Sequence, residues 1–133
     1  MRQVFADTYY FLALWNPDDE GHVKALAFTD DYQEAMVSTD WVMVELADAL
    51  ARPPNRSKFM VLYRLLQTKT DLTIVPLSRS LLEQGLALHE QRVDKEWSLT
   101  DCISFIVMKQ AGITEALTGD RHFEQAGFTA LLK

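Results

Sequence analysis

The sequence predicts an α/β fold in which a mostly parallel sheet is covered by helices on both faces. Short apolar runs alternate with longer amphipathic segments along the 133 residues, and this alternation requires crossover connections between parallel strands. The length matches one domain with one core. With 48% hydrophobic and 24% charged residues, the composition excludes disordered, collagen-like and low-complexity proteins.

The first part of the chain predicts one strand followed by two helices. An apolar run, Gln3–Ala6, ends at Asp7 and predicts the first strand, and Tyr9–Trp15 is suited to a short helix. Pro17 and the acids after it are typical of a helix N-terminus. We therefore expect a second helix from there to about Glu34.

The middle of the chain predicts a helical hairpin. Ala35–Ser38 is a brief apolar segment. Thr39 or Asp40 can then cap a third helix, which continues to the prolines at positions 53 and 54. A further helix is expected over Asn55–Thr68, with its apolar side chains inward and its basic side chains largely outward.

The rest of the chain predicts alternating strands and helices. Leu72–Pro76 is a β-branched strand, and Ser78 can cap a long helix that ends near Asp94. Another helix begins at Ser98 and ends at Gly112, because glycine is the usual residue after a helix. The remaining strands are predicted at Ile113–Thr118 and Phe128–Leu131.

The charges are unevenly distributed. The net charge is −6, but residues 1–50 hold ten acidic side chains against two basic ones, whereas residues 51–100 hold eight basic against five acidic. From residue 49 to residue 70 there is no acid, and the basic residues there are Arg52, Arg56, Lys58, Arg64 and Lys69. This distribution suits a protein that concentrates cations at one place and contacts a polyanion at another. A plain solvated helix face has the same pattern.

Cysteine usage and the N-terminus favour a cytoplasmic location. The single cysteine, Cys102, cannot form an internal disulfide, which suits a reducing compartment. The N-terminus reaches Asp7 before a signal-peptide core can form, and no apolar run approaches the ~20 residues of a membrane span. We expect no membrane partner.

Four carboxylates are placed where a shared site is expected. Ligands of an open parallel sheet lie beyond the carboxyl ends of its strands; Asp7 and Asp120 follow two predicted strands, and Asp101 begins the helix that leads into the second. Glu45 lies in an apolar helix, where a buried carboxylate is costly without a counter-charge. Mg²⁺ or Mn²⁺ would offset the repulsion among these acids, because both take oxygen ligands and retain water.

Each acid also has a purely structural interpretation. Ser98 and Asp101 have the spacing of a capping box. Asp7 can cap the following helix, and Asp120 can belong to a turn. Glu45 can lie on a solvent-facing helix edge. One shared site explains all four positions more economically than four independent roles.

The order of these motifs resembles that of PIN-domain proteins and, within that superfamily, that of VapC-type toxin ribonucleases. The resembling segments are Phe5–Phe11 with the first aspartate, Val44–Ala47 with the helical glutamate, Trp97–Cys102 with the third acidic motif, and Leu117–Phe123 with the fourth, followed by Gly127-Phe128. Any one motif is weak, but the four occur in order across nearly the whole chain.

The resemblance implies a single PIN-like domain over residues 1–133 with a three-layer α/β/α fold and the activity of a Mg²⁺- or Mn²⁺-dependent endoribonuclease. The implied catalytic and metal-binding residues are Asp7, Glu45, Asp101 and Asp120. Asp7 is the expected central ligand, and Glu45 either a ligand or an orienter of the attacking water. Hydroxyls that would support these acids, or serve only local capping, are Thr8, Ser98 and Thr118.

The resemblance further implies an RNA substrate, a small antitoxin protein as partner and a homodimer. Basic side chains bind phosphate without reading sequence. The candidate RNA contacts are Arg52, Arg56, Lys58, Arg64, Lys69, Arg121 and His122, although the last two can equally be ordinary loop residues. A catalytically silent PIN-like binding module and a housekeeping RNA-processing nuclease are the alternative functions. A cysteine enzyme is disfavoured, because Cys102 lies in an apolar helix without a thiolate motif.

Overall fold

Five parallel strands form the central sheet of this computed structural model, which describes residues 1–133. The strands are β1 (Gln3–Ala6), β2 (Ala35–Thr39), β3 (Leu72–Val75), β4 (Glu115–Leu117) and β5 (Thr129–Ala130). Their order in the sheet is β3-β2-β1-β4-β5, and every neighbouring pair is parallel. The predicted parallel α/β architecture is therefore confirmed, and the brief apolar segment after residue 34 is the second strand.

Seven helices connect and cover the strands. They are α1 (Thr8–Trp15), α2 (His22–Asp31), α3 (Asp40–Ala49), α4 (Asn55–Gln67), α5 (Arg79–Gln91), α6 (Leu99–Ala111) and α7 (Arg121–Gln125). None of them combines the length and apolarity that crossing a membrane requires. Helices α5 and α6 approach closely at Gly85, where an added Cβ would lie 2.4 Å from Cγ1 of Ile103.

Strand β1 is the centre of the core and is covered on both faces. Val4, Phe5 and Ala6 have no exposed surface, and because successive strand residues point to opposite faces, helices must pack on both sides of the sheet. This confirms the three-layer α/β/α arrangement. Burying a side chain the size of Phe5 contributes about 2–3 kcal/mol, so the end of β1 is a rigid position from which to present the residue that follows.

Four helices differ from the predictions. Helix α2 begins at His22, five residues after Pro17, because side chains of the loop before it bind the backbone of that loop. Asn16 Oδ1 accepts from the Asp18 N–H at 3.0 Å, and Asp19 Oδ1 accepts from the Gly21 N–H at 2.8 Å. Such local bonds compete with helix formation. Helices α3 and α5 end earlier than predicted, at Ala49 and Gln91, and the short helix α7 was not predicted.

Candidate metal centre

The four predicted acids come from four different elements that meet at the carboxyl edge of the sheet. Asp7 directly follows β1, and Asp120 lies three residues after β4. Asp101 is in the first turn of α6, and Glu45 is in the middle of α3. Since β1 and β4 are adjacent and parallel, their carboxyl ends open onto the same place, which brings residues 113 positions apart in sequence into one site.

Asp7 is the most deeply buried of the acids, with 5% of its surface exposed. Its side chain does not cap α1, so the capping interpretation is wrong. Instead, its Oδ2 accepts a hydrogen bond from Thr118 Oγ1 at 3.0 Å. Burial and the neighbouring Asp101 carboxylate raise the pKa of Asp7 to about 7, because both disfavour its charged form.

Asp101 combines a structural role with a place in the cluster. The capping box is present: Asp101 N–H donates to Ser98 Oγ at 3.0 Å, and Ser98 N–H donates to Asp101 Oδ2 at 3.2 Å. The capping box uses one lone pair of Oδ2 and none of Oδ1, so both oxygens can still bind a ligand. Burial is the main cause that raises the pKa of Asp101 above its ordinary value.

Asp120 is the N-cap residue of α7. Its Oδ1 accepts from the His122 N–H at 2.9 Å, so its local role is to cap this helix rather than to form the predicted turn with Gly119. Its own N–H donates to Thr118 Oγ1 at 3.1 Å. Because the same hydroxyl donates to Asp7, Thr118 links the two acids and fixes their relative position.

Glu45 is half-buried rather than at a solvent-facing helix edge. Thr8 Oγ1 donates to Glu45 Oε1, so a residue of α1 orients the acid of α3. The pKa of Glu45 is raised mainly by burial, and further by the charges of Asp101 and Asp120. All three predicted hydroxyl residues, Thr8, Ser98 and Thr118, therefore contact one of the acids.

The cluster holds several carboxylates without a strong protein cation. No lysine or arginine lies within ion-pair distance of the four acids. The one basic side chain that does is His122, whose Nδ1 lies 3.3 Å from Asp101 Oδ2 and 3.4 Å from Asp120 Oδ1. One ligand atom from each of these three residues lies within 4.8 Å of the others. Crowded, unneutralised carboxylate oxygens fit a hard divalent cation.

A glycine shapes the turn between Thr118 and Asp120. A Cβ at Gly119 would lie 2.6 Å from the hydroxyl oxygen of Tyr9, which belongs to α1. Only glycine leaves room for the Tyr9 ring to pack over this turn. The ring thus holds the segment that carries Asp120 against the helix that follows Asp7.

The predicted basic residues divide between two places. His122 contacts two of the acids, and Arg121, next to Asp120 in sequence, lies 3.8 Å from Glu96. The other five are exposed along the α3–α4 segment and contact none of the four acids: Arg52, Arg56, Lys58, Arg64 and Lys69. Helix α4 leads back to the start of β3, so Lys69, three residues before that strand, lies at the amino edge of the sheet. This edge is opposite the acids.

Sequence reasoning missed a polar cleft beside the acids. It has a volume of about 310 Å³ and is lined by Asp94, Lys95, Glu96, Arg121, His122 and Gln125. The cleft lies between the α5–α6 loop and α7, and Trp97 Nε1 of that loop donates to Gln125 Oε1 at 3.0 Å. No local motif signals it, because its two walls are about 25 residues apart in sequence.

Comparisons with known proteins agree with this geometry. A family model of the PIN domain matches residues 4–129. The chain is 26% identical over 125 residues to VapC20 of Mycobacterium tuberculosis, a 23S rRNA-specific endonuclease, covering 94% of this chain and 95% of the relative.

Solved structures show the same arrangement of the chain. The crystal structure of Mycobacterium tuberculosis VapC20, described as a sarcin-ricin loop cleaving toxin, superposes with a TM-score of 0.86 at 25% identity over 95% of this chain and 96% of that one. FitAcB from Neisseria gonorrhoeae has a TM-score of 0.67 at 19% identity over 96% and 95% of the two chains, a likeness of fold.

Proposed function

This chain belongs to the PIN domain family, and we propose that it is a divalent-cation-dependent endoribonuclease that acts as the toxin of a toxin–antitoxin pair. The observation that carries the proposal is the cluster of Asp7, Glu45, Asp101 and Asp120. Three of these acids have pKa values raised by burial. Such a cluster is unfavourable unless a bound cation compensates it. We take residues 1–133 as one PIN-like domain.

The donor set supports Mg²⁺ or Mn²⁺ as the cofactor. Asp7, Asp101 and Asp120 would hold the ion directly or through water, with Asp7 as the central ligand. When bound, such a cation lowers the pKa of a coordinated water and offsets the charge that develops on the phosphodiester. Thr118 and Ser98 each occupy one oxygen of an acid and so keep the carboxylates in fixed orientations.

Glu45 is suited to orient the attacking water. The Thr8 hydroxyl holds one of its oxygens, and its raised pKa, caused mainly by burial, makes it a better proton acceptor than an exposed glutamate. No side-chain nucleophile is needed. Cys102 has no exposed surface, and burial raises the pKa of its thiol, so it is an inert core residue.

RNA is the proposed substrate, and the 23S rRNA that the VapC20 name specifies is the first RNA to test. Arg121 and His122 lie beside the acids and are the nearest candidates for phosphate contact. The more distant basic residues, on α4 and in the loops on either side of it, would contact RNA only if it extends beyond the site. An antitoxin protein, a homodimer and a cytoplasmic location are part of the proposal.

Cleavage assays test the nuclease. Wild type, Asp7→Asn and Asp101→Asn would be purified identically and incubated with structured and single-stranded RNA in Mg²⁺, Mn²⁺ or EDTA. Asp30→Asn is the matched control, because Asp30 is an exposed acid of α2, away from the site. We expect cleavage by wild type and the control only with metal, and at least about 100-fold less by the site variants. Equal cleavage by all four proteins would refute the proposal.

Expression in cells separates a toxin from a housekeeping nuclease. We expect wild type to arrest growth, and Asp7→Asn to relieve the arrest at equal protein level. If wild type cuts RNA in vitro but its expression leaves growth unchanged, the housekeeping function replaces the toxin. If no RNA is cut and neither Mn²⁺ nor Mg²⁺ binds, the silent binding module replaces the nuclease.

A further inference from the structure

We propose that His122 is a nitrogen ligand of the metal centre and that it makes the site favour first-row transition cations such as Mn²⁺ over Mg²⁺. This inference rests on the proposed function, because it concerns the same metal centre. It adds a ligand of a different chemical type to the acidic set, and it predicts a metal preference that oxygen ligands alone would not produce.

The distances from the His122 ring to two of the acids support its role as a ligand. His122 Nδ1 lies 3.3 Å from Asp101 Oδ2 and 3.4 Å from Asp120 Oδ1. In a six-coordinate site with bonds of about 2.1 Å, neighbouring ligand atoms are about 3 Å apart. The nitrogen therefore lies at nearly the spacing of a neighbouring ligand from each of the two oxygens, and one ligand atom of each of the three residues lies within 4.8 Å of the others.

The backbone and the core fix the position of the ring. The Asp120 side chain caps α7 by accepting from the His122 N–H. The next residue, Phe123, is fully buried and packs against Phe105 and Phe5, with ring centroids 4.9 and 6.4 Å away. Because Phe123 anchors α7 in the core, His122 is directed onto the acids by the fold, and 20% of its side chain stays exposed.

A purely structural role explains His122 less well. The ring contacts Asp101 through Oδ2, and that same oxygen already accepts from the Ser98 N–H. Asp101 therefore does not need the ring to satisfy a buried acceptor. A neutral imidazole that keeps its proton on Nε2 would present the Nδ1 lone pair to an ion between the acids.

The chemistry of nitrogen ligands predicts the metal preference. Mg²⁺ binds oxygen ligands and gives up water reluctantly, so an imidazole adds little to its affinity. First-row transition cations accept imidazole nitrogen in mixed sites with carboxylates. Removal of His122 should therefore weaken Mn²⁺ binding by roughly 10- to 100-fold and change Mg²⁺ binding much less.

Pulsed electron paramagnetic resonance of the Mn²⁺-loaded protein tests ligation directly. Electron spin echo envelope modulation detects a nitrogen bound to Mn²⁺, and we expect that signal in wild type. It should persist in His89→Ala, the matched control, because His89 is exposed on α5, and disappear in His122→Ala. Titrations with Mn²⁺ and Mg²⁺ should show that the variant has lost the preference for Mn²⁺.

A second variant covers the case in which His122→Ala fails to fold. His122→Gln retains a hydrogen-bond donor and lacks the ring nitrogen, so it should lose both the nitrogen signal and the Mn²⁺ preference. If His122→Gln keeps the preference, the ring acts as a hydrogen-bond donor and the inference is overturned.

The inference and the proposed function fail in different ways. Mn²⁺ bound to wild type without a nitrogen signal, or with a signal that survives in both His122 variants, overturns the inference and leaves the acidic site intact. Absence of any Mn²⁺ or Mg²⁺ binding overturns the proposed function as well.

Discussion

Replacing Asp7 by Asn should stabilise the metal-free protein, and increasingly so as pH rises. The Asp7 carboxyl is buried, and burial together with Asp101 raises its pKa from 3.8 to about 7 in the folded chain. The folded state therefore holds the proton to higher pH than the unfolded state, and the free energy of unfolding falls as pH rises between about 4 and 7. Asn removes the charge, and its Oδ1 can still accept from the Thr118 hydroxyl.

The size of the effect follows from the two pKa values. Each unit of pKa difference corresponds to about 1.4 kcal/mol. The rise from 3.8 to about 7 therefore lowers the free energy of unfolding of wild type by about 4 kcal/mol above pH 7. Part of this loss is already present at pH 4.5, where the unfolded carboxyl is mostly charged. The advantage of Asp7→Asn over wild type should therefore grow by about 3 kcal/mol between pH 4.5 and pH 8.

Urea unfolding in EDTA at the two pH values measures this growth. With slopes of about 1–3 kcal/mol per molar urea, the difference between the urea midpoints of Asp7→Asn and wild type should increase by about 1–3 M from pH 4.5 to pH 8. Asp30→Asn, which alters an exposed acid of α2, should show no such rise. An advantage of Asp7→Asn that is the same at both pH values, or absent at pH 8, would refute the account of Asp7 as a buried, uncompensated charge.

Three further outcomes follow from the same geometry. Thr118→Val removes the donor to Asp7 and the acceptor for the Asp120 N–H, so urea unfolding should show a loss of about 1–3 kcal/mol, which Thr118→Ser restores. Gly119→Ala places a Cβ against the Tyr9 ring and should cost about 1–3 kcal/mol; in a double-mutant cycle Tyr9→Ala should recover part of that loss, and strict additivity would contradict the contact. Mn²⁺ affinity, followed by titration, should rise from pH 5.5 to pH 8, because a proton and the cation compete for Asp7; a flat profile would exclude Asp7 as a ligand.

Sequence signals predicted the elements whose ends are set locally. Helix α6 begins after Ser98 and ends before Gly112, as predicted, because a capping box and a glycine with φ of 69° define its ends. The start of α2 was misplaced because Asn16 and Asp19 bind the loop backbone, and the pattern of charged residues does not distinguish that loop from a first helical turn.

Two acids of the candidate site, Asp7 and Asp120, could also be predicted to lie together, since the residues that follow parallel strands meet at one edge. What the sequence could not predict was orientation. His122 faces the acids because Phe123, its neighbour, is buried in the core. Lys69 is separated from the acids because α4 crosses to the amino edge of the sheet. Both facts depend on tertiary packing, which has no signature in local sequence.

The most direct test of the central claim compares two metal titrations of the same wild-type protein. One follows the single-turnover rate of RNA cleavage as Mn²⁺ is added, and the other follows Mn²⁺ binding by electron paramagnetic resonance. If the acids hold the ion that supports cleavage, both titrations have the same midpoint, and Asp101→Asn weakens both together. Cleavage that persists in EDTA, or that saturates while Asp7 and Asp101 variants still cut at the wild-type rate, would contradict the account.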